Sequence, residues 1–419
     1  MVSSISGAHW ITAPATRAVA AALAGGGDPG RSDGRSAPVM RFVGGCVRNT
    51  LLGLDAGDVD VATIHTPLRV MELAAVAGLK AVPTGLDHGT ITLIANGKPF
   101  EVTTLRRDVK TDGRHAEVAY TEDWAADAAR RDFTMNAIYA DPSGALYDPV
   151  GGIPDLEARR VRFIGDATAR IREDFLRILR FFRFHAWYGK GPLDAVGLAA
   201  CVGEKSGLGQ LSAERVQKEL LRLLEAREPA EVLRSMGEGG ILALVLPEAK
   251  NFDAVARLCA VESCYLYAAD AVRRLGVLIE SDAGGAETLA ARLRLSNTAR
   301  ERLIRLRTMV SDIAPDVDGR TLRAMLYREG VEAVVDRLVL SWAARGPDTD
   351  VDLWEALIEI VKAYKRPKLP INGNDVVAMG VSGARVGEVL SAVEGWWIEE
   401  DFAPTRGAAL ERTKVMTSG

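Results

Sequence analysis

A pair of glycines between two short apolar segments is the feature that most constrains how this chain can fold. Residues 41–63 read RFVGGCVRNTLLGLDAGDVDVAT, which predicts a strand, a turn at Gly44 and Gly45, a helix over residues 47–53 and a second strand. Glycines in such a turn let backbone N–H groups approach a phosphate at the start of a helix, where anions are favoured. Arg48, in the first turn of that helix, is a candidate triphosphate ligand.

Two acidic residues, Asp58 and Asp60, are predicted to lie on the second strand. Because side chains alternate along a strand, these two project from one face, and Val59 and Val61 are expected in the core. Two carboxylates on one face repel each other unless a cation lies between them. Such oxygen ligands suit Mg²⁺, which is often held by one or two carboxylates together with substrate phosphates. The sequence therefore predicts a magnesium site next to a phosphate site.

A glycine pair or an Asp-x-Asp alone is usually only a turn or a solvated loop, but their combination is more specific. The order G-G-x-V-R from Gly44, followed by D-x-D from Asp58, resembles the opening signature of the class II nucleotidyltransferases. That family comprises the bacterial tRNA CCA-adding enzymes and their poly(A) polymerase relatives within the polymerase-beta-like superfamily. Asn49 stands where the commonest form of the signature has Asp, so a structural role survives there and a metal-ligand role does not.

Residues 130–137, RRDFTMNA, are predicted to open a helix at which Arg and Asp can pair with phosphate and ribose. An R-R-D alone is more often a surface ion pair. This segment resembles the second motif of the same family, R-R-D-x-x-x-N-A. The resemblance implies that Arg131 and Asp132 select ribonucleotides through the 2′-hydroxyl, and it adds Asn136 to the nucleotide-binding residues. Residues 147–155, YDPVGGIPD, resemble the hinge-like third motif that leaves the catalytic head.

A helix is predicted over residues 172–188, where Asp174, Arg177 and Arg180 recur every three residues along one side. On periodicity alone, an ion pair on a solvated face is the more ordinary interpretation. The pattern E-D-x-x-R-x-x-R, however, resembles the family's fourth motif, in which an aspartate and an arginine hydrogen-bond the Watson–Crick edge of the incoming base. The resemblance implies that Asp174 and Arg177 select C and A, with Arg180 as support or as a contact to triphosphate or tRNA.

A β-hairpin is predicted from residues 89–95 and 99–105, joined by an Asn-Gly turn. Glu101 lies on its second strand and is either a surface-facing acid or a third carboxylate beside the acidic pair.

Residues 106–123 are polar and lack periodicity. They are predicted to form a mobile loop beside the active site, although an ordinary disordered loop is equally consistent with the sequence.

Most of the remaining chain is predicted to be helical. Residues 211–224 form a helix with Ser212 at its N-cap, in which Arg215 has a supporting role by default. From about residue 229 onward few strand signals occur. Residues 369–390 resemble the C-terminal element of long bacterial family members, which contacts the outer part of tRNA.

Composition narrows the class of protein. With 419 residues the chain is expected to form more than one domain, because single cores rarely grow beyond roughly 250 residues. It has no apolar run long enough for a membrane span, and its start lacks the pattern of a signal peptide. Four cysteines without zinc-type spacing predict free thiols in a reducing cytoplasm. The net charge of −4 argues only weakly against nucleic acid, because phosphate binding needs a local basic surface.

The predicted fold class is α+β. The resemblance implies a polymerase-beta-like nucleotidyltransferase head, with a mixed sheet and helices, followed by an all-helical neck, body and tail. The expected boundaries are 1–38 for an N-terminal extension and linker, 39–150 for the head, 151–228 for a neck that recognises the base, 229–315 for the body and 316–419 for a tail that contacts tRNA.

The resemblance implies template-independent addition of C, C and then A to the 3′ end of tRNA, from CTP and ATP, with pyrophosphate release. Asp58 and Asp60 would hold two Mg²⁺ ions. A bacterial poly(A) polymerase is the main alternative. The strand sequence DHGTIT and the acidic to neutral end GWWIEEDF favour CCA addition, whereas a partial C- or A-adding enzyme shares every motif.

Two alternatives belong to other classes of protein. A dinucleotide-binding oxidoreductase would use the glycine pair as its phosphate turn, but the third glycine of that fingerprint is missing. A non-catalytic RNA-binding protein would not need Asp58 and Asp60 paired on one strand. Activity that depends on Mg²⁺ separates this second alternative from an enzyme.

Overall fold

We describe the protein from a computed structural model, covering residues 3–25, 38–86, 89–111, 116–265, 268–309 and 312–417. The chain divides into two compact units. The first comprises Met1–Ala226 and Val232–Pro247, and the second comprises Arg227–Glu231 and Glu248–Gly419. The first unit therefore contains nearly all of the predicted head and neck. The finer division into five domains stays a prediction.

The first unit is built around a mixed sheet. The strands of the described residues are β1 (Met40–Val43), β2 (Val61–Thr63), β3 (Lys80–Gly85), β4 (Thr90–Ala95), β5 (Lys98–Thr104), β6 (Arg106–Thr111), β7 (Ala116–Tyr120), β8 (Tyr139–Ala140) and β9 (Leu146–Tyr147). Seven of them form one sheet in the order β3-β4-β5-β2-β1-β8-β9, in which β2 and β5 pair in parallel. The predicted α+β head with a mixed sheet is confirmed.

The predicted Asn-Gly hairpin is present between β4 and β5. Asn96 and Gly97 both have positive φ, 49° and 75°, as a two-residue hairpin turn requires, and Ala95 pairs with Lys98 across it. Side chains of β4 alternate between buried and half-buried positions along the strand. The local sequence therefore determines both the turn and the register of this hairpin.

Residues 106–123 were wrongly predicted to be a loop. Strands β6 and β7 pair antiparallel, from Arg106 with Tyr120 to Thr111 with Ala116, and residues 112–115, including His115, lie outside the described residues. These two strands form a sheet of their own. A hairpin that is not part of the main sheet does not need apolar side chains at every second position. The sequence of this segment therefore lacks the alternation that predicts a strand.

Twelve α-helices precede Leu246 within the described residues. They are α1 (His9–Thr12), α2 (Pro14–Leu23), α3 (Gly45–Leu51), α4 (Pro67–Val76), α5 (Trp124–Ala129), α6 (Gly152–Glu157), α7 (Ala167–Glu173), α8 (Leu176–Tyr188), α9 (Ala195–Gly203), α10 (Ala213–Leu224), α11 (Ala230–Glu238) and α12 (Leu242–Val245). Helix α3 begins two residues before its predicted start. The predicted helix over residues 211–224 is present as α10, although no side-chain cap hydrogen bond forms at Ser212.

The predicted helix over residues 172–188 is in fact two helices. Helix α7 ends at Glu173, Asp174 has an extended backbone with φ −156° and ψ 106°, and α8 begins at Leu176. One oxygen of Asp174 accepts a hydrogen bond from Leu176 N at 3.1 Å. A carboxylate that accepts from the first backbone donors of a helix marks its start, so the acid that suggested a continuous helical face actually interrupts it.

An aromatic cluster holds helix α8 against the head. The ring of Phe133 lies 4.9 Å from that of Phe163 and 5.1 Å from that of Phe184, and Phe163 stacks on Phe181 at 5.4 Å. Phe133 and Phe181 are fully buried. Aromatic rings bury large apolar areas at defined angles, so this cluster fixes which side of α8 faces the cleft.

The N-terminal segment packs on the head. Trp10 makes an edge-to-face contact with Phe42 at 5.0 Å, and its indole nitrogen donates to Thr50 Oγ1 at 2.8 Å. Val19 and Leu23 of α2 are buried, which confirms the helical composition predicted there. Most of the predicted linker, residues 26–36, lies outside the described residues.

Every element of the second unit is a helix within the described residues, as predicted. These helices are α13 (Phe252–Tyr265), α14 (Ala271–Leu278), α15 (Ala283–Arg292), α16 (Asn297–Thr308), α17 (Gly319–Glu329), α18 (Val331–Arg345), α19 (Val351–Ala363), α20 (Gly373–Val377), α21 (Arg385–Glu399) and α22 (Arg406–Thr417). Trp342 and Trp354 stack in its core at 5.7 Å. Throughout the ranges described, no helix has both the length and the apolar character needed to cross a membrane.

Candidate active site

A cleft of about 430 Å³ in the first unit brings the sequence motifs together. Its walls are Gly44, Gly45, Arg48, Asp60, Arg130, Arg131, Asp132, Asn136, Asp174, Leu176, Arg177, Arg180, Phe184 and Arg215. Every predicted site residue except Asp58 and Glu101 is among them. Six arginines and three aspartates line the cleft, so it has a surplus of positive charge that suits a phosphorylated ligand.

The glycine turn lies between an acid and a cation of the cleft. Gly44 has φ 77° and ψ −126°, a conformation that strongly favours glycine. A Cβ atom placed on it would lie 3.9 Å from Asp60 Oδ2 and 4.0 Å from Arg131 Nη1. The backbone of this turn can therefore approach a ligand that contacts both side chains.

The two acids were predicted on a strand, but they precede it. Strand β2 begins at Val61, after a bend in which Gly57 has a φ of 67°. Asp58 is exposed and Asp60 is half-buried, while Val59 is half-buried and not part of the core. The left-handed turn at Gly57 delays entry into the sheet, so alternation along a strand does not apply to this pair.

The three predicted carboxylates influence one another electrostatically. Burial and, to a smaller extent, the negative charges of Glu101 and Asp58 together raise the pKa of Asp60 to about 6, against the opposing effect of Arg131. Glu101 is exposed on β5, the parallel neighbour of β2. Among the residues that the structure describes, no three His, Cys, Asp or Glu side chains converge closely enough to hold an ion alone. Mutually repelling carboxylates fit a cation that takes its other ligands from a substrate.

Arg48 is a buried cation whose acceptors are neutral. It donates to Asn136 Oδ1 at 2.6 Å, to the Tyr188 hydroxyl at 2.8 Å and to Asn49 Oδ1 at 2.9 and 3.1 Å, and it stacks on the Tyr188 ring. Burial lowers the pKa of its guanidinium. Asn49 in turn donates to the Asp55 carbonyl at 2.9 Å, which agrees with the structural role predicted for it. The charge of Arg48 is therefore available to an anion.

Asp132 is held by neighbours on three sides. Its Oδ1 accepts from Phe133 N at 2.8 Å and Asn136 Nδ2 at 3.0 Å, and its Oδ2 accepts from Arg180. Burial raises the pKa of this carboxyl, but Arg180 and the hydrogen bonds outweigh burial and lower it to about 2. A chain of hydrogen bonds thus runs from Arg180 through Asp132 and Asn136 to Arg48.

The R-R-D segment ends a helix, and the prediction that it opens one was wrong. Arg130 is the C-cap of α5, and only a 3₁₀ turn, Thr134–Asn136, follows. Phe133 has an extended backbone and forms an isolated bridge with Phe163. Tertiary packing of the buried Phe133 overrides local helix preference at this point.

Asp174 and Arg177 are both paired in this structure. Asp174 Oδ2 accepts from Arg215 Nη2 at 2.8 Å, and Arg177 donates to Glu173 at 2.5 Å and to the Arg170 carbonyl at 2.7 Å. Asp174 is about one-third exposed at its side chain. A base that binds Asp174 must therefore replace or share its contact with Arg215.

Sequence reasoning missed several residues of the cleft. Arg130 and Phe184 line it, and Arg215 contributes to it directly although it was assigned only a supporting role. Asp127 pairs with Arg130 and Arg131 at spacings of three and four residues, a helical signal that was readable in the sequence. No such spacing pointed to Arg215, because its partner, Asp174, is 41 positions away along the chain.

An arginine-lined cleft beside a glycine turn and acidic residues, on a mixed-sheet head, defines this protein as a nucleotidyltransferase. Over 387 residues it is 32% identical to the zebrafish (Danio rerio) protein "CCA tRNA nucleotidyltransferase 1, mitochondrial", a match that covers 88% of this chain and 86% of that protein. The chain therefore belongs to the CCA tRNA nucleotidyltransferase family, within class II.

Further comparisons agree with this assignment. Residues 40–162 match the family described as "Poly A polymerase head domain", and residues 198–253 match "Probable RNA and SrmB- binding site of polymerase A". The "CCA-adding enzyme" of Geobacillus thermodenitrificans is 39% identical over 202 residues, 48% of this chain and 49% of that protein. The Bacillus stearothermophilus CCA-adding enzyme in complex with CTP has a TM-score of 0.71 at 24% identity, over 97% of this chain and 98% of that one, which supports the fold.

Proposed function

We propose that this enzyme adds C, C and then A to the 3′ end of tRNA, using CTP and ATP and releasing pyrophosphate. The observation that carries the proposal is that one cleft contains a glycine turn, three aspartates and six arginines. Relatives that match most of the chain are named for addition of CCA to tRNA. A triphosphate in this cleft would meet a surplus of positive charge next to the carboxylates.

The proposed triphosphate ligands are Gly44, Gly45, Arg48 and Arg131. The buried guanidinium of Arg48 has only neutral hydrogen-bond acceptors, and Nη1 of Arg131 lies beside the turn. Desolvated arginines of this kind bind phosphate oxygens strongly and with defined geometry. Asp132 and Asn136 support them through the hydrogen bonds that end at Arg48.

Asp58 and Asp60 are the proposed Mg²⁺ ligands, with Glu101 as a third carboxylate nearby. Burial, followed by the negative charges of Glu101 and Asp58, raises the pKa of Asp60, and a bound cation would offset both effects, which supports this assignment. Bound Mg²⁺ would lower the pKa of the RNA 3′-hydroxyl and neutralise charge on the triphosphate and its leaving group. A Cβ atom at Gly44 would lie 3.9 Å from Asp60 Oδ2, so a triphosphate bound at this turn would lie next to Asp60.

Asp174 and Arg177 are the proposed readers of the base. A carboxylate accepts from an exocyclic amine and a guanidinium donates to a ring nitrogen or carbonyl oxygen, which suits C and A. Uracil and guanine present the opposite pattern at that edge. The contact of Asp174 with Arg215 lies at the same place, so Arg215 belongs to the proposed reading site.

Three other functions are compatible with this cleft, and the extension experiment distinguishes them. A poly(A) polymerase and a partial C- or A-adding enzyme would use the same cleft. A non-catalytic RNA-binding protein would bind tRNA without consuming nucleotide.

The cytoplasm is the proposed location, on the basis of the four free cysteines. Three relatives have mitochondrial names, so cell fractionation with an antibody against the protein tests the location.

The test is extension of a tRNA that lacks its terminal CCA, with Mg²⁺ and with CTP alone, ATP alone or both nucleotides. Growth by two residues with CTP and a third only after ATP is added supports the proposal. A long ladder with ATP alone indicates a poly(A) polymerase. Growth that stops short of three residues with both nucleotides indicates a partial adder. No growth with retained tRNA binding indicates the non-catalytic alternative.

A further inference from the structure

One buried carboxylate clamps two arginines of the cleft. Asp127 on α5 has a side chain that is 1% exposed. Its Oδ1 accepts from Arg130 Nε at 2.8 Å and lies 2.7 Å from Arg130 Nη2. Its Oδ2 accepts from Arg131 Nη2 at 3.2 Å and from Arg131 Nε at 3.4 Å. Each oxygen therefore serves one guanidinium, and both guanidiniums line the cleft.

Tyr139 completes this arrangement. Its hydroxyl donates to Asp127 Oδ2 at 2.8 Å and accepts from Arg131 Nε at 3.2 Å. Tyr139 is fully buried on β8, and its ring also lies under the Arg131 guanidinium. Two buried oxygens, from a helix and from a strand, therefore hold the same nitrogen of Arg131, so the side chain has a defined orientation.

The orientation leaves one end of Arg131 for the ligand. Nε and Nη2 face Asp127, whereas Nη1 lies 3.5 Å from the Asn136 carbonyl and beside the turn at Gly44. A long arginine side chain loses considerable rotamer entropy when it is fixed at a ligand. Fixing it in advance, before the nucleotide arrives, removes that cost from binding.

Burial of an ion pair alone would not imply such a role. In the second unit, Asp336 is equally buried and accepts from Arg273 at 2.8 Å and from Arg302 at 2.7 and 2.9 Å. Neither of those arginines lines the cleft. What distinguishes Asp127 is that both of its partners reach the ligand site, so its effect extends beyond the stability of the fold.

We infer that Asp127 is a positioning residue for nucleotide binding, which acts by aiming Arg131 at the phosphates or ribose of CTP and ATP. The inference rests on the proposed function for the identity of the nucleotides. Asp127 does not touch the substrate in this scheme. Tyr139 assists it by holding the same guanidinium nitrogen.

The experiment compares Asp127→Asn, Arg131→Ala and the double variant with the full-length enzyme, at saturating tRNA. The asparagine side chain keeps the shape of Asp127 but loses its negative charge. Its NH2 group is a donor, and it faces one of the two guanidinium groups. We expect the KM for CTP and for ATP to rise about tenfold, as loss of a charge-assisted hydrogen bond does, with a smaller change in kcat. Because Asp127 acts through Arg131, the double variant should match Arg131→Ala alone. Tyr139→Phe should raise KM in the same direction by a smaller factor.

Asp336→Asn is the matched control, because it makes the same change to a buried carboxylate that accepts from two arginines. It should lower the Tm and leave the KM for both nucleotides unchanged. The inference is overturned if Asp127→Asn lowers the Tm with no change in KM, or if the effects of Asp127→Asn and Arg131→Ala multiply in the double variant. Calorimetric titration of CTP into each variant gives the same comparison in Kd. Failure of the wild-type enzyme to extend tRNA would reject the proposed function, while the Kd comparison would still test Asp127.

Discussion

Arg180 donates two hydrogen bonds to one oxygen of Asp132, from Nε at 2.8 Å and from Nη2 at 2.5 Å. The two residues are 48 positions apart and belong to two separate sequence motifs. Their contact joins the segment after α5 to helix α8. Two motifs that the sequence presents as independent are therefore parts of one hydrogen-bonded unit beneath the cleft.

Removal of this cation should destabilise the first unit. Arg180→Ala leaves the buried Asp132 with only neutral donors, and we expect a loss of roughly 2–4 kcal/mol, less than for a fully buried pair because Arg180 is partly exposed. Urea denaturation measures the change. Arg172→Ala removes an exposed partner of Glu204 and should leave the unfolding midpoint nearly unchanged. Equal unfolding midpoints for the two variants would contradict the prediction.

The raised pKa of Asp60 gives a dependence of stability on pH in EDTA. In the folded state the Asp60 carboxyl has a pKa of about 6, whereas in the unfolded state its pKa has the ordinary value of 3.8. The folded state therefore binds more protons in this window, and the contribution of Asp60 to stability falls as pH rises from about 4 to 6. Asp60→Asn should remove that part of the slope. Denaturation of both proteins at pH 4.5 and 6.5 tests this, and identical slopes would refute it.

The carboxylates should differ in how strictly the reaction needs them. Asp58→Ala and Asp60→Ala should each abolish incorporation while leaving tRNA binding nearly intact, because they remove proposed metal ligands and no RNA contact. Glu101→Gln should retain activity but need more Mg²⁺ for half-maximal rate, since it removes only a neighbouring charge. Primer extension and gel-shift assays on the same preparations measure both properties. Retained activity in Asp58→Ala or Asp60→Ala would reject the metal assignment.

Arg177 should control the choice of nucleotide. Arg177→Ala removes the donor proposed to face the base, so incorporation of UTP or GTP should rise relative to CTP and ATP, with tRNA affinity little changed. Ratios of kcat/KM for the four nucleotides measure this effect. Arg172→Ala, an exposed arginine on the preceding helix, is the control. If Arg177→Ala changes only the Tm, the contact with Glu173 is an ordinary ion pair.

The N-terminal segment should contribute to the stability of the head. Trp10→Phe keeps the ring contact with Phe42 and loses the hydrogen bond to Thr50, for which we expect about 1 kcal/mol. Trp10→Ala also opens a cavity and should cost roughly 3 kcal/mol. Thermal denaturation separates the two variants. A Trp10→Ala protein with the Tm of the wild type would show that this segment does not stabilise the head.

Features set by neighbouring residues could be predicted from the sequence. The Asn-Gly turn and its two strands were confirmed, because positive φ at both turn residues is a local preference. The helix α10 followed from its apolar spacing, and Val216 and Leu220 are buried as predicted. The functional roles of the site residues stay predictions, although the structure gathers nearly all of them in one cleft.

The errors occur where distant contacts override local preference. Asp174 was assigned to a continuous helix, yet its side chain accepts from Leu176 N at the start of the next helix and pairs with Arg215, which is 41 positions away. Asp60 was placed on a strand that begins one residue later, because the turn at Gly57 precedes it. Strands β6 and β7 form a sheet of their own, and their residues lack the apolar periodicity that would have predicted them.

The sequence by itself determined the motifs, their spacing, the hairpin turn and the family to which the chain belongs. Those properties depend on residues that lie close together along the chain, where backbone preferences and side-chain periodicity act directly. Only the tertiary structure decided that Tyr139 contacts both Asp127 and Arg131, that Arg180 pairs with Asp132 and that Arg215 pairs with Asp174. The first two of these contacts satisfy charges that are removed from water when separate elements pack together, and that requirement arises only once the chain has folded.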